Sequence, residues 1–528
     1  MEKSADLLRR LEQLNDIGAS LSSERNLNLL LEKILLAAKA ITHADGGTLY
    51  LLSEDRQHLH FEIVRTSSLG LAFGGGSEKL TADAFPDLPL FLENGLPNNA
   101  MIAVYAAHSG KTINIADAYT AAGFDFSGTR QFDQRTGYRS QSFLTVPMSN
   151  HDGELIGVLQ LINALDALGR VVTFSDADQR LAESLTSQAA IALNNRQLIH
   201  QMEALFESFI KLINLAIDEK SPHTGGHCQR VPELTMLLAD AVDQMTEGPL
   251  ADFKLTDEDR YELRIAALLH DCGKITTPVH VVDKATKLQT LFDRINLIDT
   301  RFEVIKRDAE IRMLQDLLAG KDKESVETSF HSFCLQCDSD REFLRHANFG
   351  TERMLDEDVE RVQRISAQYR WRNTEGVEIA FLSQDELENL SIKAGTLTKS
   401  ERETINHHIV ATIKMLEQLP WPKHLRHVTE YAGGHHERMD GKGYPKGLKR
   451  EQMSWQARMM GIADIFEALT AKDRPYKDGM KLSQALKILN DFKQGGHIDP
   501  DLHEVFVRSK VYDKYAKKFL SGQQIDCS

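Results

Sequence analysis

The residues of this chain best suited to chemistry are histidines and carboxylates in short clusters. Glu219 and His223 stand four apart, a spacing that places both on one helix face within reach of one cation, although Pro222 between them disturbs a helix. The segment LLHDCGK supplies His270, Asp271 and Lys274. Its His-Asp pair closes the apolar run IAALL, where buried charge needs a partner and metal coordination supplies one. INHHIV offers His407 and His408. GGHHERMDGKGYPKGL offers His435, His436 and Asp440, then a turn through Gly441, Gly443, Tyr444 and Pro445. Asp464 interrupts the apolar helical pattern GIADIFEAL, which is expensive unless it is paired or ligates metal. Imidazole nitrogen with carboxylate oxygen suits Mn, Fe or Zn. Any one of these residues is more often structural. As an ordered series on separate helices they describe a metal site inside a helical bundle. His151-Asp152, just before Gly153, reads instead as turn chemistry. Cys334 and Cys337 form a CxxC flanked by His331 and His346; a second CxxC is missing, so unligated thiols are expected there rather than zinc.

The elements that must position these groups divide the chain. Its 528 residues predict about three to four units. With 42% hydrophobic and 26% charged residues the composition is that of a globular protein and excludes a collagen-like or disordered chain. The net charge of −15 makes generic binding to nucleic acid polymers or anionic membranes unfavourable. Five cysteines, no apolar N-terminal signal core and no long apolar run predict a cytoplasmic location without membrane insertion. Residues 5–38 read as one helix, with Leu7, Leu11, Leu14 and Leu21 on its apolar face. Alternating strands follow at 46–52 and 58–64, and a hairpin at 142–148 and 155–163. A helical stretch from Asp176 to about Ile217 links this α+β unit to a mostly helical remainder, within which the charge-dense residues 289–394 read as an antiparallel helical insertion. The length and apolar spacing of the linking helix predict parallel homodimerisation.

The series HTGGHCQRV, LLHDCGK, HHERMDGKGYP and ADIFEALTAKDRPYK resembles the HD-GYP domain, a subclass of the HD phosphohydrolases, over about 205–288 and 395–510. The resemblance implies an all-α bundle holding two or three divalent metal ions, Fe or Mn, and hydrolysis of cyclic di-GMP to pGpG, with a second cut to GMP where a third metal binds. It implies Glu219, His223, His270, Asp271, His407, His435, His436 and Asp464 as metal ligands, with Asp271 bridging, and His227 as a support for the first helix or for the ligands rather than a ligand itself. Lys274, Arg474 and Lys477 are the implied phosphate contacts, and Gly443, Tyr444 and Pro445 a rigid turn linked to partner contacts. A diguanylate cyclase is a candidate partner. The competing expectations are a catalytically weak dinucleotide-binding signalling protein and a hydrolase of another cyclic dinucleotide such as cyclic GMP-AMP.

The first 200 residues resemble a GAF domain, a small-ligand sensor fold, over about 20–197, carried by LINALDALGRVVTFSDADQ. Cyclic-nucleotide-binding members carry an Asn-Lys pair, a Phe and an Asp-Glu pair. Here these positions hold Asn163, Ala164, Phe174, Asp178 and Gln179, so the Lys–carboxylate bridge is missing and the ligand is unknown. The expected architecture is an N-terminal helix (1–20), a GAF-like sensor domain with an antiparallel sheet and flanking helices (21–197), a connecting helix (178–215) and a helical domain (205–528) carrying the insertion.

Overall fold

The structure is a computed structural model. It describes the chain except residues 1–9, 11, 13, 22–23, 25, 76–84, 221–225, 351–353, 473–478 and 528. The chain divides into two compact units, residues 1–206 and 207–528.

The first unit is built on one antiparallel sheet. Its strands are β1 (Ala44–Leu52), β2 (His58–Thr66), β3 (Leu71–Phe73), β4 (Leu88–Pro89), β5 (Ile113–Ile115), β6 (Phe143–Ser149), β7 (Leu155–Leu165) and β8 (Val171–Val172). The order is β3-β2-β1-β7-β6-β5, with β4 on β2 and β8 on β7. Both expected hairpins form, and β1 pairs with β7 at the centre, Leu49 opposite Leu159. The expected single helix over 5–38 is broken instead. Helix α1 (residues 14–21) ends, and α2 (Leu27–Thr42) restarts at Asn26, whose side chain accepts the Leu29 N–H. Leu14, Leu21, Leu31 and Leu35 from these helices pack with Leu185 and Leu193 of α5 (Asp176–Lys220) on one side of the sheet. Smaller clusters around α3 (Ile102–Ser109) and Phe126 at the start of α4 (Ser127–Thr136) complete the unit. The sheet with flanking helices is the α+β fold expected.

The second unit is helical: α6 (His227–Asp243), α7 (Asp257–Leu269), the short α8 (Val279–Val282), α9 (Ile295–Leu318), α10 (Lys323–Asn348), α11 (Asp356–Gln368), α12 (Gln384–Leu390), α13 (Lys399–Leu416), α14 (Val428–Gly434), α15 (Trp455–Thr470), α16 (Leu482–Gln494), α17 (Pro500–Arg508) and α18 (Val511–Phe519). Within the insertion, α9 and α10 run antiparallel, as the descending ion pairs Lys306–Asp338, Glu303–Arg341 and Asp299–Arg345 require. The insertion is not wholly helical. A hairpin of β9 (Arg370–Arg372) and β10 (Glu378–Ala380) lies between α11 and α12. Its core of Phe302, Leu344, Tyr369 and Phe381 is separate from the other clusters. Cys337 enters this core, Cys334 is half-buried, and both thiols are free, with His331 and His346 exposed. Burial pushes the Cys337 thiol up to about 11, so it stays protonated at neutral pH.

Candidate metal centre

Five helices bring the centre together. Helix α7 starts at a capping box of Thr256 and Asp259 and ends at His270, delivering His270 and Asp271 to the bundle interior. The chain then tightens into a 3-10 turn over Cys272–Thr276. Gly273 is needed there because a β-carbon would overlap the carbonyl oxygen of His408. The Gly273 N–H donates to the Thr412 hydroxyl at 2.9 Å, locking the turn onto α13. Helix α14 delivers His435 and His436, and α15 delivers Asp464 and, one turn on, Glu467.

Three histidines share one device. The Nδ1–H of His270 donates to the Ala267 carbonyl (2.7 Å), that of His408 to Ile405 (2.5 Å) and that of His435 to Ala432 (2.6 Å). A carbonyl only accepts, so each ring carries its proton on Nδ1 and turns an Nε2 lone pair inward. The Nε2 atoms of His408 and His435 are buried without a hydrogen-bond partner, and so is Asp271 Oδ1.

Asp271 stands between two groups of ligand atoms. Its Oδ2 lies 3.1 Å from His227 Nε2 and 3.2 Å from His270 Nε2, while its Oδ1 lies 3.2 Å from His408 Nε2. Asp464 spans the same space, with Oδ1 3.2 Å from His227 Nε2 and Oδ2 3.8 Å from His436 Nδ1. His227, His270 and Asp271 form one group whose ligand atoms lie within 4.8 Å of one another, and His408, His435 and His436 form another. Orphaned buried imidazole nitrogens facing ionised carboxylates are a donor set that fits divalent cations. Lys274 Nζ reaches Asp271 Oδ2 at 2.5 Å. Tyr444 lies over His436, with ring centroids 4.8 Å apart.

The electrostatics of Asp271, Asp464, His435 and His436 match that donor set. Burial would raise the Asp271 carboxyl, but Lys274 and His270 hold it well below the usual range. Asp464 is likewise held low, burial being outweighed by His227 and His436. Burial and then the neighbouring His436 keep His435 well below the ordinary imidazole value, and burial puts His436 at about 4. These two rings are neutral at pH 7 and able to ligate.

Several sequence expectations change. His407 is exposed, and the helix turns the adjacent His408 into the centre instead. His227, expected as a support, has its Nε2 among the ligand atoms, while its Nδ1 faces Glu467 Oε2 at 2.5 Å. Glu467, buried and also bonded to Arg230 Nε (2.7 Å), was not anticipated. Glu219 is exposed near the end of α5 and belongs to neither group. Its neighbour Lys220 donates instead to the carbonyls of Lys274, Ile275 and Thr277, holding the loop behind the centre. His223, Arg474 and Lys477 lie outside the described residues. Asp440 is tied into its own turn by Arg438 and the Lys442 N–H. Gly443, Tyr444 and Pro445 form a turn pinned by buried Glu437, which accepts from the N–H groups of Lys446 (2.7 Å) and Leu448 (2.8 Å). In the first unit Asn163 adopts a left-handed φ of 57° and spends its side chain on the backbone of Gln141, Ser142 and Arg139. Phe174 is buried, and Asp178 caps α5 by bonding Ser175. The described bonds of these three are structural.

The GAF domain family matches residues 26–193, and HD domain families match 224–327 and 383–502. Among curated proteins the chain is 37% identical over 317 residues to 3′3′-cGAMP-specific phosphodiesterase 3 of Vibrio cholerae, covering 60% of this chain and 40% of that protein. It is 37% identical over 117 residues to a cyclic di-GMP phosphodiesterase of Pseudomonas aeruginosa, covering 22% of this chain and 27% of that protein. It is 36% identical over 122 residues to 3′3′-cGAMP-specific phosphodiesterase 1 of Vibrio cholerae, covering 23% and 27%. The chain thus spans less than half the length of these relatives. The segment that matches the GAF domain family thus precedes the segments that match HD domain families.

Proposed function

We propose that the helical unit is a metal-dependent phosphodiesterase of the HD-GYP type acting on cyclic dinucleotides, with cyclic di-GMP as substrate and linear pGpG as the first product, a second cut to GMP requiring a third metal ion. The observation that carries this reading is the Asp271 carboxylate, held between two groups of inward-facing imidazoles with Lys274 on one of its oxygens. His227, His270, Asp271 and Asp464 would hold one divalent ion, and His408, His435 and His436 with Asp271 a second. Such ions supply activated water and neutralise charge on the phosphodiester and its leaving oxygen. The protein's own groups do the positioning. The carbonyls of Ala267, Ile405 and Ala432 fix three ring tautomers, and Glu467 aims His227. Lys274, with a cationic head anchored by Asp271, is placed to meet a non-bridging phosphate oxygen.

The donor set supports Fe or Mn over a thiolate-bound metal. Burial lifts the thiols of Cys228 to about 12 and Cys272 to about 11, so neither offers a thiolate. The GAF domain would regulate turnover through a small ligand, and a diguanylate cyclase remains the proposed signalling partner. A second substrate, 3′3′-cGAMP, is favoured by the relatives that carry its name. The test is anaerobic turnover with Mn or Fe(II), offering cyclic di-GMP and 3′3′-cGAMP singly and in competition. Conversion by wild type and none by Asp271→Ala is expected. Full activity of Asp271→Ala, or no turnover of either dinucleotide by metal-loaded protein, would overturn the proposal.

A further inference from the structure

One buried side chain on α13 departs from the habit of its type. A threonine inside a helix commonly turns its hydroxyl to the carbonyl one turn back. Thr42, Thr186, Thr300, Thr404 and Thr470 do so, donating to the carbonyls of Ala38, Ala182, Asn296, Ser400 and Phe466. Thr412, fully buried, reaches out of its helix instead. Its hydroxyl donates to the His270 carbonyl at 3.2 Å and accepts the Gly273 N–H at 2.9 Å.

These two backbone groups bracket Asp271. The His270 carbonyl stands at the C-terminal end of α7, where carbonyls run out of helical partners. The Gly273 N–H belongs to the 3-10 turn that follows. A hydroxyl has one hydrogen to give and lone pairs to accept, so this one oxygen ties both ends of the segment His270–Gly273. With both ends held, Asp271 has little freedom to swing. Thr412 also lies one turn after His408 on the buried face of α13. The helix that carries His408 thus sets where Asp271 stands, and Asp271 Oδ1 lies 3.2 Å from His408 Nε2.

We infer that Thr412 is a positioning residue for the carboxylate between the two imidazole groups: its hydroxyl holds Asp271 in register with His408. The inference rests on the metal-binding reading of those groups. It assigns the pairing of the two sites to a hydroxyl that belongs to neither.

Manganese titration of the full chain, followed by electron paramagnetic resonance, tests it. Wild type loaded with Mn(II) should show the spin-coupled signal of a metal pair. Thr412→Val keeps the volume and removes the hydroxyl. It should weaken binding of the second Mn(II) by about 10–100-fold, the cost of losing a group that supports a ligand, and turn the coupled signal into that of isolated ions. Thr412→Ser keeps the hydroxyl and drops the methyl, and should restore both affinity and coupling. A packing role predicts the opposite order, because serine leaves a void and valine does not. Should Thr412→Val not fold, Thr412→Cys takes its place, since a thiol matches the shape of serine but bonds weakly. Neither readout requires turnover. Wild-type affinity and coupling in the variant without the hydroxyl, or a serine variant no better than it, would overturn the positioning role and leave the metal reading intact. A wild type that binds no Mn(II) pair would overturn the metal reading and the role with it.

Discussion

At the scale of single residues, the centre depends on which of two adjacent histidines the helix turns inward. On α13 the buried residues are His408, Ile409, Ala411, Thr412 and Leu416, so His408 lies on the face that meets Asp271. His408→Ala should lose turnover by a factor of at least about a hundred together with bound metal, since removing even the group that supports a ligand costs about 10–100-fold. His407→Ala should leave both within about twofold. Metal content and rate measured on the two variants check this, and the reverse pattern would return the ligand to His407. The distinction was legible in the sequence. Ile405, His408, Ile409, Thr412 and Leu416 share one helical stripe, whereas His407 falls beside Glu403, Val410 and Lys414. Motif matching alone does not apply that periodicity. Of the other residues that came together, His270, Asp271 and Asp464 were legible because each interrupts or ends an apolar helical run, and His435 and His436 because they stand as a pair just before the turn of GGHHERMDGKGYPKGL. Glu467 was not, since an acidic residue one turn after Asp464 looks like an exposed helix position until His227 and Arg230 close over it.

At the scale of elements, the centre is held by contacts between segments far apart in the chain, and sequence patterns register these poorly. The end of α5 meets the turn after Asp271 through Lys220, whose ammonium group bridges the carbonyls of Lys274, Ile275 and Thr277. Nothing about Lys220 in the sequence separates it from a solvent lysine. Lys220→Met keeps the stem and removes the donors. It should lower kcat severalfold with metal content near normal, because Lys274 sits in the loop that Lys220 braces. Loss of metal in parallel with rate would instead place Lys220 in the folding of the centre. Gly273 is the complementary case: a β-carbon there has no room against the His408 carbonyl and the Thr412 backbone. Gly273→Ala should destabilise the fold by about 1–3 kcal/mol, the range for overpacking a tight contact, read as a lowered denaturant midpoint at unchanged slope. The strands at 46–52, 58–64, 142–148 and 155–163 were legible because half-buried strands alternate. The break between α1 and α2 was not, because leucines continue the apolar spacing across it, and the Asn26 cap that starts α2 is a single polar residue within that spacing.

At the scale of the whole molecule, the buried ionisable groups set how stability depends on pH when metal is absent. Burial depresses His435 and His436, the latter to about 4, and lowers His497 and His503 as well. Each takes a proton in the unfolded chain before it does in the folded one. The stability gained by keeping them neutral is present above the unfolded value of 6.5 and is lost as pH falls from there toward the folded values. His227 works in the other direction. Burial opposes its charge, but Asp271, Asp464 and Glu467 raise it well above 6.5. Its contribution is therefore complete below 6.5 and decays as pH rises through its folded value. Asp271 and Asp464, both held low, stay ionised across the acid window. Chelator-treated protein should lose urea midpoint between pH 6.5 and about 4.5, and lose it again at alkaline pH. His436→Asn should flatten part of the acid limb and leave the alkaline limb in place, whereas Glu467→Gln should reduce the alkaline limb. Metal-loaded protein should start from a higher midpoint and fall more steeply in acid, since protons then compete with the ion for the same Nε2 atoms. A midpoint that stays flat from pH 6.5 to 4.5 in the metal-free protein would mean that these imidazoles are not buried neutral.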